Sequence, residues 1–188
     1  MQSLDADITG IVITKTGQGI PNVEIQLSGN SSFANMDTTL TSASGRYSFP
    51  HRESGNGYYM RGYKNDDILN GVSAIDLIHL QKHLLGITPF TTLHQYIAAD
   101  VNHSGSVNVL DLVILQKVLL GSITTFPGNT SWRFGSLPQD MSGQDIRAFK
   151  EVYNIEHLEQ GPHLVDFVGI KIGDLNGDAK LGRMAGRK

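Results

Sequence analysis

Two segments of this chain are copies of one another at a shift of 35 residues, and that repeat limits the available folds more than any other feature. Between Val72 and Gly86, nine of fifteen positions recur at the same spacing: Val72, Asp76, Leu77, Leu80, Gln81, Lys82, Leu84, Leu85 and Gly86. Chance does not produce such a match. A repeat of this kind means two related supersecondary units that share one core. Both copies, 73–86 and 108–121, carry helical periodicity and end on glycine, as C-cap chemistry requires.

In front of the second helix stands the segment DVNHSGSVNVLD, residues 100–111. Numbered from Asp100, side-chain oxygens fall at loop positions 1, 3, 5, 9 and 12, on Asp100, Asn102, Ser104, Asn108 and Asp111. Gly105 stands where a calcium-binding loop turns sharply, and Ser106 follows where such a loop offers a backbone carbonyl. Calcium takes six to eight oxygens, and a wrapped twelve-residue loop presents them in sequence order. The competing expectation is a turn that only caps the helix through Asn108.

This loop and helix resemble the type I dockerin domain, with Ser104 where that pattern has aspartate and Asp111 as the last ligand. The segments LNGVSAIDL, AADVNHSGSVNVLDL, FPGNTSWRF and FVGIKIGDLNGDA together resemble dockerin-like modules of large secreted Bacteroidetes proteins. The resemblance implies calcium as cofactor, a protein partner of cohesin-like type, and a secreted or cell-surface location. It also implies that partner contacts fall on Ala74, Ile75, Gln81 and Lys82 in the first copy and Val109, Leu110, Gln116 and Lys117 in the second. The familiar Ser-Thr recognition pair is replaced there by apolar residues. Leu112, Leu115 and Leu119, like Leu77, Leu80 and Leu84, are read as an inner stripe. Leu110, Val113, Ile114 and Val118, with Ile75 and Ile78, form an outer one. A helix apolar on most sides needs cover. Cover from within the chain is the expectation, with a different partner as the alternative.

The first copy is degenerate. Aligned on Asp76 it offers Asn65, Asp67 and Ser73 at positions 1, 3 and 9, but Leu69 at position 5, with Asn70 in the glycine's place. Near the C-terminus, Asp174, Asn176 and Asp178 repeat positions 1, 3 and 5 of a loop whose position 12 would be Ala185. This half-loop is expected to join the defective first loop and complete one shell. The alternative is a solvated turn. With only Asp100 and Asp111 charged in the second loop, affinity is expected at the level of extracellular modules, roughly 0.1–1 mM. The ion would act as a structural staple.

The first sixty residues read differently. Segments 7–14, 22–29, 37–42, 46–49 and 57–63 are β-rich, separated by Gly- and Pro-containing turns, and Val23, Ile25 and Leu27 alternate with polar residues. Five strands near ten-residue spacing predict a small antiparallel β-sandwich. ITGIVITKTGQGIPNVEIQLSG followed by TTLTSASGRYSF resembles carboxypeptidase regulatory-like and collagen-adhesin B-type modules. That resemblance implies an immunoglobulin- or prealbumin-like module. Segment 124–143 reads as loop pinned by Trp132, 150–155 as strand, and 163–173 as helix or strand.

Composition closes off other classes. Cysteine is absent, which excludes disulfides, thiolate metal sites and a cysteine nucleophile. A net charge of −3 disfavours nucleic acid. No apolar stretch is long enough for a membrane span, and Asp5 and Asp7 stand where a signal peptide would be apolar. A fragment or a mature chain is the expectation. Glycine at 21 of 188 residues points to many turns. His79 and His83 are four apart, but the segment lacks a metalloprotease glutamate. The sequons at Asn30, Asn102 and Asn129 are read as coincidence. No nucleophile elbow, phosphate loop or dinucleotide fingerprint occurs, so no enzyme is expected.

The expected architecture is α+β and multidomain, with a β-sandwich over 1–62 and a mainly helical dockerin-like domain over 63–188. The latter carries an insertion at 122–172 and a half-loop at 173–179. The expected role is protein attachment or domain presentation. The alternatives are an accessory carbohydrate-binding region of a polysaccharide-degrading enzyme, using Tyr47, Tyr58, Tyr59 and Tyr63, or a mechanical stalk.

Overall fold

Alternating β-branched and aromatic residues dictate the first five elements. The computed structural model describes residues 5–29 and 31–181, and the sequon at Asn30 and position Ala185 lie outside them. The strands are β1 (Asp5–Ile13), β2 (Glu24–Ser28), β3 (Met36–Leu40), β4 (Arg46–Glu53) and β5 (Tyr58–Tyr63). Ala6, Ile8 and Val12 share one face of β1 and are buried, as the two-residue period demands. On β2 both faces are covered. Gln26 and Ser28, expected to face solvent, are buried because Arg61 bonds Gln26 and lies over the Phe33 ring, and Asn35 accepts from Ser28.

The last third of the chain adds four strands: β6 (Trp132–Leu137), β7 (Tyr153–Ile155), β8 (Gly161–Leu164) and β9 (Asp166–Lys171). Segment 163–173 is therefore strand, and β6 interrupts the stretch expected to be loop. One sheet has the order β4-β1-β9-β6, with β8 also on β1, and the other has the order β3-β2-β5-β7. The five strands expected from the sequence pair with one another only antiparallel, and the parallel pairs come from the strands added later in the chain. β1 is antiparallel to β4 but parallel to β8 and β9, because strands reached through long connections are free of the hairpin constraint. Phe134 fills the space between sheets. A Cβ at Gly62 of β5 or Gly169 of β9 would come within 2.8 and 2.9 Å of its ring, so both positions need glycine.

The helices are short: α1 (Ala74–Leu84), α2 (Leu93–Ala99) and α3 (Val109–Leu119), with a 3-10 turn at Ile146–Ala148. The domain holding them is loop-rich rather than mainly helical. Ser73 and Asn108 are N-caps of α1 and α3, each in a capping box completed by Asp76 or Asp111. Both helices end in a Schellman arrangement, in which Gly86 and Gly121 have positive φ and Ile87 and Ser122 donate back to Lys82 and Lys117. Helix α2 has no counterpart among the sequence expectations.

Two compact units result. One holds the chain to Lys64 together with Phe134–Gln139 and Lys150–Gly169, and the other holds Asn65–Arg133, Asp140–Phe149 and the chain from Ile170. This corrects the expected cut into 1–62 and 63–188. About half of the segment read as an insertion in the second domain belongs to the first unit, to which it supplies strands. No helix among the described residues is long and apolar enough to cross a membrane.

Candidate metal centres

A carboxylate buried at the start of a loop must find donors nearby, and the backbone of the loop provides them. Asp100, fully buried, accepts the N–H of Ser104 at 2.8 Å on one oxygen and that of Gly105 at 3.0 Å on the other. Asn102 Oδ1 also accepts from Ser104 N–H, at 3.1 Å. His103 and Gly105 have positive φ, which folds the chain back sharply. Asp111, also fully buried, accepts from Asn108 N–H at 2.9 Å and Asn102 N–H at 3.4 Å. Ser106 turns its carbonyl to Ser104 Oγ–H at 3.1 Å. Asn108, placed by spacing at position 9, directs its Oδ1 to Leu110 N–H at 2.8 Å, so it serves as the helix cap.

The same pattern occurs a second time, split across the chain. Asp174, 2% exposed, accepts from Gly177, Asp178 and Ala179 N–H groups at 2.6, 3.2 and 2.9 Å. Asn176 Oδ1 accepts from Asp178 N–H at 3.1 Å, as Asn102 does from Ser104. The closing carboxylate is Asp76, 0% exposed, which accepts from Leu175 N–H at 2.8 Å, Asn176 N–H at 3.2 Å and Ser73 N–H at 2.8 Å. The two segments are held side by side by a reciprocal amide pair, Asn70 with the backbone of Lys180, at 2.9 Å each way. Gly71 makes the approach possible: with φ +75, a Cβ there would lie 2.6 Å from Ala179 Cα.

Asn65 and Asp67 do not enter this arrangement. Asn65 Oδ1 is committed to Ser131 N–H at 3.0 Å, and Asp67 is exposed. Positions 1 and 3 are filled from residues 174 and 176 instead. Although Asn70 stands in the glycine's place, the positive φ angles of this segment fall on Asp67 and Gly71. Asp178 is exposed, its carboxylate bonded to the Asn176 amide.

Burial raises one carboxyl in each loop. Burial pushes the Asp111 carboxyl above the usual range, and the Asp100 charge adds to this, while N–H bonds from Asn108, Asn102 and Val101 oppose it. Burial likewise raises Asp174, opposed by the N–H bonds of its own loop and reinforced by Asp76. Each loop thus brings two buried carboxylates together, and its candidate donor atoms are all oxygens, the chemistry that suits a hard divalent cation. Among the described residues no three His, Asp or Glu side chains converge. The remaining donors at each loop are amide, hydroxyl and carbonyl oxygens.

Ala74, Ile75, Gln81, Lys82, Val109, Leu110, Gln116 and Lys117 are all exposed. Ile75 is 53%, Val109 64% and Leu110 54% exposed, and Ile78, Leu85, Val113 and Leu120 join them. Cover from within the chain, the sequence expectation, is not provided at these positions among the described residues. Ile114 and Val118, assigned to the outer stripe, are instead buried with Leu115, since the 3.6-residue period carries them onto the face of Asp111.

Two histidines and one tyrosine also find their places. His79 is exposed, whereas His83 accepts Phe90 N–H on Nδ1 at 3.0 Å and stacks on that ring at 4.0 Å. Tyr47 is buried and donates to the Val165 carbonyl, so it is unavailable to a carbohydrate surface. Sequence reasoning missed Asn129, whose amide donates to the Asp100 and Val101 carbonyls, and Arg133 beside Asp100. Neither carries a local signal, because both lie beyond the twelve-residue pattern.

No curated protein matches the chain. The family model of the dockerin type I domain matches residues 69–124, the stretch that contains α1, α2, α3 and the contiguous loop.

Proposed function

We propose that this chain is a non-catalytic, calcium-stapled attachment module of a secreted or cell-surface protein, and that it holds two calcium ions. One ion is held by Asp100, Asn102, Ser104, the Ser106 carbonyl and Asp111, with Asn108 reaching it at most through water. The other is held by Asp174, Asn176, Asp178, Ser73 and Asp76. The observation that carries this reading is the recurrence of one carboxylate-to-backbone pattern in a contiguous loop and in a loop assembled from segments about a hundred residues apart. The oxygens are hard donors, and neutralising paired buried carboxylates removes a burial cost that the N–H bonds of the split loop offset only in part.

The partner surface is the exposed face of α1 and α3. Repeat-related side chains Ile75 and Leu110, Ile78 and Val113, and Leu85 and Leu120 stand exposed on both helices. The only acidic residues of these helices, Asp76 and Asp111, are buried, while Lys82 and Lys117 are exposed. Such a face fits a cohesin-like protein surface that is apolar at its centre and acidic at its rim. Each of Ile75 and Leu110 covered by a partner contributes roughly 1.5–3 kcal/mol.

Calorimetric titration tests the metal reading. The wild-type chain should take up two calcium ions, and the D174N/D178N double variant one. An unchanged stoichiometry in that variant removes the split site. Calcium-dependent capture of a protein partner tests the surface, and capture that ignores both calcium and Leu110→Glu refutes it.

A further inference from the structure

The two loops differ in one respect. Arg133 on β6, only 5% exposed, brings Nη1 to 3.9 Å from Asp100 Oδ2. Its guanidinium carbon lies 5.5 Å from the Phe149 ring, which holds the side chain in place. Asn129 fixes the backbone of Asp100 and Val101 from the same side of the sequence. Among the described residues no ion pair is made by Asp76, Asp174 or Asp178. Among the described residues, a buried cation therefore faces the first carboxylate of the contiguous loop and has no equivalent at the split loop. Residue 133 also lies outside the matched stretch 69–124.

We infer that Arg133 is a built-in rival cation for Asp100: it neutralises this carboxylate in the metal-free chain and holds the contiguous loop to a weaker calcium affinity than the split loop. This rests on the calcium reading of that loop. A carboxylate without metal, buried at 0% exposure, needs a counter-charge or it destabilises the fold. The same guanidinium, within a few ångströms of a bound dication, repels it. The contiguous loop is thereby kept folded at low calcium and fills second. Arg133 acts through Asp100 and is a positioning residue.

The test uses the full chain, calcium alone as probe, and the variants R133Q, R133K and D100N. Titration of the wild type should show two classes of site, with D100N deleting the weaker. R133Q should tighten the weaker class about tenfold and lower the melting temperature in chelator, while R133K restores both values most of the way. A folded R133Q whose weaker class is unchanged or weakened overturns the inference. Where R133Q does not fold, the Arg133 Nε–H resonance of the wild type, assigned by its loss in R133K, decides. It should shift in step with the weaker class, and a resonance that stays still overturns the inference. If D100N deletes neither class, the calcium reading of the contiguous loop fails, a result distinct from either outcome for Arg133.

Discussion

At the scale of single residues, His83 is a proton-sensitive joint between α1 and the segment leading to α2. Its Nδ1 must stay unprotonated to accept the Phe90 N–H, and burial lowers its pKa below the ordinary 6.5. The sign follows from linkage. A histidine with a depressed folded pKa contributes stability that is fully present above 6.5 and is lost as pH falls through the folded value. In chelator, so that calcium plays no part, the melting temperature should fall between about pH 7 and pH 5. The His83→Gln variant should lose most of that fall. Nuclear magnetic resonance titration gives a direct check: the His83 ring should titrate below 6.5, and a midpoint at or above that value would reject the assignment.

At the scale of elements, the split loop depends on how closely two strands of backbone approach. Gly71→Ala places a methyl group 2.6 Å from Ala179 Cα at a φ of +75, so both clash and strain oppose it. The variant should lose about 1–3 kcal/mol of stability and one calcium, while the contiguous loop keeps its own. Retention of both ions at unchanged affinity would show that the two segments need not meet. The helix face gives the opposite kind of prediction. Leu110 is 54% exposed and touches nothing essential to the fold, so Leu110→Glu should leave the melting temperature within about a degree and abolish partner capture. A large drop in melting temperature would mean that the face is covered in solution.

At the scale of the whole molecule, the Asp76 carboxylate joins the start of α1 to Leu175 and Asn176, and on the proposed reading a calcium ion in the split loop would lock that junction and close most of the second unit into a ring. Cross-links over long loops restrict the unfolded chain most. At one hundred times its dissociation constant each ion adds about 2.7 kcal/mol. At ~2–4 °C per kcal/mol for a chain of this size, chelation should lower melting by ~10–20 °C. A shorter chain ending at Gly173 should bind one ion and lose amide protection at Leu77 and Leu80. Calorimetry and hydrogen exchange read both effects, and equal melting with and without chelator would contradict the staple.

The sequence by itself determined whatever is encoded within about a dozen residues. The alternation in 5–63 specified five strands, Ser73 and Asn108 with Asp76 and Asp111 specified the helix starts, Gly86 and Gly121 the ends, and the spacing of 100–111 a loop with oxygens turned to its own backbone. These signals are legible because periods, caps and tight turns act between near neighbours. Only tertiary structure decided that β8 and β9 run parallel to β1, that Asp174 rather than Asn65 completes the loop of Asp76, that Arg133 faces Asp100, and that the helix face around Leu110 stays open. The physical reason is shared by all four. Each joins, or leaves apart, groups separated by tens to more than a hundred residues, and no local propensity specifies which distant segment arrives or from which direction.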